Sequence, residues 1–542
     1  MNTTVRELAP EFDNKGNPTW KTRLSAPDDS YALIKMIPDR IIPVIFVPGV
    51  MGSNLKGMGK SQNTEWLLDS ETSMSGWLFR GPKERKRHLT PDTMRVFDGG
   101  KIDPGQTGIP VEEFKRRGWG EVGFMSYGAS LPWLEHALND FQSHESGERA
   151  ALRKNALQAL VGETPLTDAE FALSYKYRFP VYACGYNWLD SNATAAQRLG
   201  QCIDAALQRY KADKKKCEKV IIVTHSMGGL VARHCSEVGG YRNKIFGIVH
   251  GVMPAIGAAA VYRRFKSGTE GAYIPSEVLG NDAAEMTAVL SSAPGPLQLL
   301  PTPEYGNGWL KIKDGANEHS LPKNGNPYGE IYTVRDKWWG MCEDELINPL
   351  NEERNPKKRQ AVVEADWAVF EGVIDKDVRG FHRAITGKYH PNTHAFAGID
   401  PSTKAYGTVT WSGGSLFGNK RPTDSLDRSA LTPEELKAMK RPEPEIKGYR
   451  TVKGQYTDGG WFPEMERTYY ISEPDEDGDG TVPQRSGRAV RQASRSYAEV
   501  KVGHEPAYKF AEGAEYARAC RFTLRAIVKI AQEVQATSLK YD

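Results

Sequence analysis

The stretch Thr224-His225-Ser226-Met227-Gly228 carries the strongest chemical signal in the chain. A serine hydroxyl is a weak nucleophile until a base takes its proton, so what surrounds Ser226 decides its reactivity. Upstream lies Val220–Val223, apolar and β-branched at every position, which reads as a buried strand. Downstream, Gly229-Leu230-Val231-Ala232-Arg233 reads as a helix start. A strand, a sharp turn and a helix around a central Ser form a nucleophile elbow, which lifts the hydroxyl above the sheet. The same turn leaves the N–H of Met227 free to stabilise an oxyanion. The usual pattern is G-x-S-x-G. Here Thr224 replaces the first Gly and Gly228 keeps the second, although strand and helix nearly touch at both places.

Such a serine needs a His to take its proton and an acid to orient that His. On this kind of fold they follow in the order Ser, acid, His. Of eleven histidines, His225 adjoins the nucleophile on a turn where neighbouring side chains diverge, while His250, His390 and His394 precede the acidic cluster. His504 lies after both, in V-G-H-E-P-A-Y, where a loop can drop an imidazole over the sheet edge. The acid is expected from Asp475-Glu476-Asp477-Gly478-Asp479-Gly480, and spacing alone leaves Asp475, Asp477 and Asp479 open. Those aspartates also fit the start of an EF-hand loop, but its twelfth position is Ser486 rather than Glu. No metal ligand set is therefore assigned. A nearby Ca²⁺ is the one cofactor the cluster leaves room for, and otherwise none is expected.

The strand Ile41–Val47 runs into Pro48-Gly49-Val50-Met51, where Gly49 lets the backbone approach and the N–H of Val50 is placed as the second oxyanion donor. Just beyond, Asn54–Ser61 partly matches a P-loop but does not directly follow a strand and open a helix, as a P-loop must.

Further strands are expected at Phe179–Cys184, Lys244–His250, Ala395–Ile399, Glu466–Ile471 and Tyr497–Val502. Helices are expected at Leu131–Phe141, at Ala195–Tyr210 with Thr194 as N-cap, at Pro433–Met439, and at Glu512–Val534. Strands alternating with helices give an α/β fold with a mostly parallel, doubly wound sheet. The chain divides into an N-terminal arm (1–40), a first core segment (41–255) with an excursion at 60–118, a cap insertion (256–390), and a second core segment (391–542) with a loop-rich excursion at 400–465. The cap region holds Trp309, Trp338, Trp339, Trp367 and Phe370, which suit either a small core of its own or a lipid-facing surface. There are no internal repeats.

With 542 residues the chain can bury a large core, and its net charge of +3 gives no bulk signal for nucleic acid. The basic runs Glu84–His88 and Lys211–Lys219 read first as solvated helix ends and second as attraction to anionic lipid. Six cysteines without C-x-x-C spacing indicate no disulfide framework and no zinc site. No basic-then-apolar leader and no 18-residue apolar run is present, so the chain is expected to be made in the cytoplasm, without a membrane span.

Three separated stretches, Val44–Leu55 (V-I-F-V-P-G-V-M-G-S-N-L), Thr224–Gly229 (T-H-S-M-G-G) and Asp477–Pro483 (D-G-D-G-T-V-P) followed by Gly503-His504, resemble the lecithin:cholesterol acyltransferase-like lipases. That family also includes lysosomal phospholipase A, and the resemblance is carried by about 40–55, 180–255 and 465–510. It implies an α/β-hydrolase fold with Ser226 as nucleophile, Asp479 as acid, His504 as base, and Val50 and Met227 as oxyanion donors. It also implies a lipid ester substrate, most simply a membrane phospholipid met at the membrane surface. The chain is similar, too, to the lipase effectors of type VI secretion. Those toxins leave the cell without an N-terminal signal, enter target cells and are paired with an immunity protein. An acyltransferase using the same acyl-enzyme, and an inactive lipid-binding scaffold, are the rival expectations.

Overall fold

The computed structural model describes residues 4–21, 30–34, 36–141, 145–154, 162–269, 280–314, 317–335, 337–414, 448–454, 465–510 and 515–541. The helix expected at Pro433–Met439 lies outside the described residues.

Six parallel strands build the central sheet: β1 (Val44–Val47), β2 (Val181–Ala183), β3 (Val220–His225), β4 (Ile245–Gly251), β7 (Thr393–Gly398) and β11 (Ser494–Val500), in the spatial order β2-β1-β3-β4-β7-β11. Two-residue alternation divides the strand side chains between two cores. Ile45, Val47, Val220 and Ile222 point to one face. Val44, Phe46, Ile221 and Val223 point to the other. Both faces are buried, which is why these strands read as unbroken apolar runs rather than alternating ones.

Helices α1 (Ser130–Leu138) and α5 (Glu515–Ala531) supply Leu131, Leu134, Phe522 and Ile527 to the second face. On the first face, α2 (Asn192–Ala212) packs beside α3 (Gly228–Glu237). The N-cap of α2 is Ser191, whose hydroxyl accepts from the Ala193 N–H at 3.2 Å, rather than the expected Thr194. The helix starts three residues earlier because Ser191 and Asn192 are fixed by contacts far away in sequence. The Asn192 N–H donates to Gln298 Oε1 at 2.8 Å, and Gln298 Nε2 donates to Ser191 Oγ at 2.9 Å.

A second, five-stranded sheet joins segments that are far apart in the chain. It comprises β5 (Leu310–Asp314), β6 (Asn317–Leu321), β8 (Val409–Gly414), β9 (Tyr449–Gly454) and β10 (Met465–Ile471), ordered β6-β5-β8-β10-β9. The strand expected at 466–471 therefore forms, but in this sheet and not in the central one. Trp338 stacks on Tyr469 (centroids 4.5 Å apart) and meets Trp411 edge-on, so the aromatics of this region fill a core. Trp309, Trp338, Trp339, Trp367 and Phe370 are all buried and present no lipid-facing surface. Helix α4 (Ala260–Ser267) is tied in by the buried Lys266, whose ammonium donates to Trp338 O, Gly340 O and Glu343.

The excursion 60–118 holds more structure than its composition suggests, with helices at Glu71–Leu78, Pro82–His88 and Val111–Arg116. The basic run there is not a free cationic surface. Arg85 is fully buried and donates to Trp77 O, and Arg87 pairs with Glu84. Asn54–Ser61, the partial P-loop match, is a short strand followed by a single 3₁₀ turn, and no helix opens from it.

Three histidines of the central sheet, His225, His250 and His394, are buried, and burial pushes each one down to about 3. They are neutral when folded but titrate near 6.5 when unfolded. The unfolded chain therefore gains protons that the folded chain refuses. Their contribution is present above pH 6.5 and is lost as pH falls toward 3, by about 1.4 kcal/mol per pH unit for each histidine. Urea midpoints measured from pH 7.5 down to 5 should fall steadily below pH 6.5. A flat profile would show that these imidazoles are already solvated in the folded state.

Candidate active site

The end of β3 makes the turn the sequence implies. Ser226 sits at φ +52°, a left-handed conformation that is uncommon for a residue with a side chain. Its N–H donates to Gly251 O at 2.9 Å, anchoring the strained turn to the neighbouring strand. A Cβ on Gly228 would lie 2.5 Å from Val47 O and 2.6 Å from Pro48 O, so only glycine lets α3 leave the turn this close to β1. Gly228→Ala is expected to destabilise the fold by about 1–3 kcal/mol and to lower ester turnover. A thermal melt and a turnover assay on that variant check it, and wild-type values for both would refute the steric argument.

Thr224, where Gly is usual, does not obstruct the elbow. It pairs with His250 across β3 and β4, and its buried hydroxyl is hydrogen-bonded to His250 Nδ1 at 3.0 Å. The side chain is thus spent on the neighbouring strand.

The loop after β11 brings His504 over this turn. Its Nε2 lies 2.8 Å from Ser226 Oγ and its Nδ1 lies 2.8 Å from Asp479 Oδ2. Asp479 Oδ1 accepts from the N–H groups of Thr481 (3.0 Å) and Val482 (2.7 Å), and Asp479 O accepts from the His504 N–H at 2.8 Å. These bonds fix the carboxylate in the plane where it can hold Nδ1–H, leaving Nε2 to accept the serine proton. The other two aspartates face elsewhere. Asp475 Oδ1 accepts from the Gly407 and Thr408 N–H groups, and Asp477 pairs with Lys404. No group of three His, Cys, Asp or Glu side chains suited to a metal ion occurs among the described residues.

The N–H groups of Val50 and Met227 have no hydrogen-bond partner among the described residues. Val50 follows β1, beside Met51 at φ +63°, and Met227 opens α3, where the helix dipole favours negative charge. Val50 lines the same cleft as Ser226, and Met227 directly follows Ser226 in the chain.

Sequence reasoning missed a second layer beneath these groups. Tyr127 OH accepts from the Gly49 N–H at 3.1 Å and lies 2.8 Å from His225 Nδ1, while His225 Nε2 lies 2.9 Å from His504 O. A carbonyl oxygen can only accept, so Nε2 carries the proton and Tyr127 donates to Nδ1. The neutral state this requires matches the lowered pKa of His225. His225 lines the same cleft as Ser226, with its ring 5.4 Å from the His504 ring and its Nε2 against the His504 carbonyl. No local motif marks Tyr127, since it meets His225 only through the packing of α1 and its preceding turn.

Above these groups opens a cleft of ≈ 1010 Å³, including its mouth. Its walls are largely apolar, with Met51, Leu68, Pro254, Val261, Leu299 and Val482 among the lining residues. Arg264, Thr481 and Glu505 add polar groups to the same walls.

A parallel sheet carrying a strained serine at a strand–helix elbow, with a His and an Asp delivered by later loops, defines an α/β-hydrolase. The family model for the PGAP1-like alpha/beta domain matches residues 192–264, the stretch from α2 through the elbow into α4. A chain in the crystal structure of the Tle4–Tli4 complex superposes with a TM-score of 0.71 at 27% identity, covering 91% of this chain and 98% of that one. No curated protein matches the chain. The chain therefore carries a lipase-like α/β-hydrolase domain. No described helix is long and apolar enough to cross a membrane.

Proposed function

We propose that the chain is a serine lipase that hydrolyses fatty-acyl esters of membrane phospholipids through an acyl-enzyme. The observation that carries this is the relay Ser226–His504–Asp479, with both hydrogen bonds at 2.8 Å, opening into an apolar cleft. His504 takes the proton of Ser226 as the hydroxyl oxygen attacks the acyl carbonyl carbon. The carbonyl electrons move to oxygen, where the N–H groups of Val50 and Met227 hold the negative charge. Collapse expels the alcohol portion, which takes its proton from His504. Water then repeats the sequence and releases the fatty acid. Asp479 holds the imidazole in the productive tautomer and stabilises its charged form.

The segment 256–390 acts as a cap in this reading, since Ala258, Val261, Arg264 and Leu299 wall the cleft from that side. The substrate is reached at a membrane surface. Likeness to a chain of the Tle4–Tli4 complex supports a role as a secreted antibacterial effector held in check by a cognate immunity protein. The decisive measurement is mass-spectrometric product analysis on mixed phospholipid vesicles, with Ser226→Ala alongside. Free fatty acid and lysophospholipid from the wild type alone are expected. Transfer of the acyl group to an added alcohol in preference to water would instead make the protein an acyltransferase.

A further inference from the structure

Two of the six cysteines meet. Cys184 Sγ lies 2.8 Å from Cys202 Sγ, and the two residues are 18 positions apart. Cys184 is buried immediately after β2, with its N–H donating to Phe46 O at 2.9 Å. Cys202 lies on α2 and is partly exposed, so a reagent in solution reaches it first. A sulfur–sulfur bond measures about 2.05 Å, so the two sulfurs need to close by under about 1 Å. Arg198, one turn before Cys202, bonds to Gly185 O and Glu121 and places its positive charge beside both sulfurs. That charge opposes, without outweighing, the hydrogen bond to Cys202 and the burial that hold the Cys184 thiol well above its ordinary range.

We propose that Cys184 and Cys202 form a reversible disulfide that staples the end of β2 to α2 when the chain meets a disulfide oxidant. The Cys202 thiolate attacks one sulfur of a small-molecule or protein disulfide, expelling one thiolate and forming a mixed disulfide. Cys184, deprotonated as it reacts, attacks Cys202 Sγ and expels the second. Two thiols are oxidised, one external disulfide is reduced to two thiols, and both protons leave with them. The bridge closes the loop that carries Ser191 and Asn192, the residues bonded to Gln298. Leu299, the next residue, lines the cleft. Oxidation therefore fixes the seam supporting one cleft wall. The chain folds without the bridge, as a reducing cytoplasm requires, and gains it where disulfides persist. This inference is independent of the proposed lipase chemistry.

The test uses the full chain in glutathione/glutathione disulfide mixtures, followed by alkylation of free thiols, digestion without reductant and mass spectrometry. A Cys184–Cys202 peptide pair two hydrogens lighter than the separate thiols is expected, and dithiothreitol should abolish it. The oxidised protein should melt roughly 2–3 °C higher than the reduced one, a difference that Cys202→Ser removes. Full alkylation of both residues in the most oxidising mixture would overturn the proposal. So would glutathione retained on Cys202 or a bridge to Cys217. An unchanged melting temperature in the bridged protein would refute the staple. Because the mass readout is made on the wild-type chain, it stands even if the variant folds poorly.

Discussion

Ser226→Ala should lower the release of fatty acid by roughly 10³–10⁶-fold while leaving the fold intact. The hydroxyl is the sole atom removed, and its recorded side-chain partner is His504 Nε2 at 2.8 Å, a bond worth about 1 kcal/mol. The backbone strain at φ +52° stays, because alanine carries the same Cβ, and so does the anchoring bond from the Ser226 N–H to Gly251 O. Melting temperature and far-UV circular dichroism should thus match the wild type. What disappears is the covalent route, leaving only the oxyanion donors and substrate positioning to assist water. Product analysis on phospholipid vesicles checks turnover, and a fluorophosphonate probe should label the wild type but not the variant. Wild-type rates in a correctly folded Ser226→Ala protein would transfer the nucleophile elsewhere and undo the reading of the whole cleft.

What could be read from the residues, and what could not, follows from how far each relationship reaches along the chain. The elbow is local. Val220–Val223 and Gly228 impose strand, turn and helix within ten residues, so the position of Ser226 was legible without any contact map. The central sheet was nearly as legible, because a strand buried on both faces has a run of apolar residues that few loops possess. The second sheet was not. β5 and β6 lie in what reads as the cap, while β8, β9 and β10 lie roughly ninety or more residues later, beyond a strand of the central sheet. Tyr469 of β10 stacks against Trp338, a contact no periodicity announces. The large aromatics were ambiguous for a related reason. A tryptophan in a Gly- and Pro-rich segment suits a buried core or a lipid surface equally, and only the opposing wall decides. In the cleft itself, the Tyr127–His225 support was invisible because Tyr127 and His225 are 98 residues apart and neither belongs to a catalytic pattern. Thr224 posed the reverse problem. It breaks the usual motif locally, and its compatibility becomes evident only once His250 is seen opposite it on β4.

The three aspartates offer the sharpest test of the site, because they lie within five residues and their chemistry is identical in isolation. Asp479→Asn should reduce turnover by about 10⁴-fold with the fold retained. An asparagine can still accept from the Thr481 and Val482 N–H groups through its carbonyl oxygen, so the loop should keep its shape. Its other terminus is then an NH₂ facing His504 Nδ1, which must become an acceptor. The single imidazole proton moves to Nε2, and Nε2 can no longer take the proton of Ser226. Asp475→Asn keeps a carbonyl oxygen for the Gly407 and Thr408 N–H groups and should leave turnover near wild type. Asp477→Asn loses a partly exposed pair with Lys404, a change of about 0–1 kcal/mol in stability and none in the imidazole tautomer. Steady-state kinetics on the three purified variants should therefore separate 479 from its neighbours in kcat, with KM little changed. A large loss at 475 or 477 with 479 spared would mean that the loop rearranges when substrate binds and that a different carboxylate orients His504.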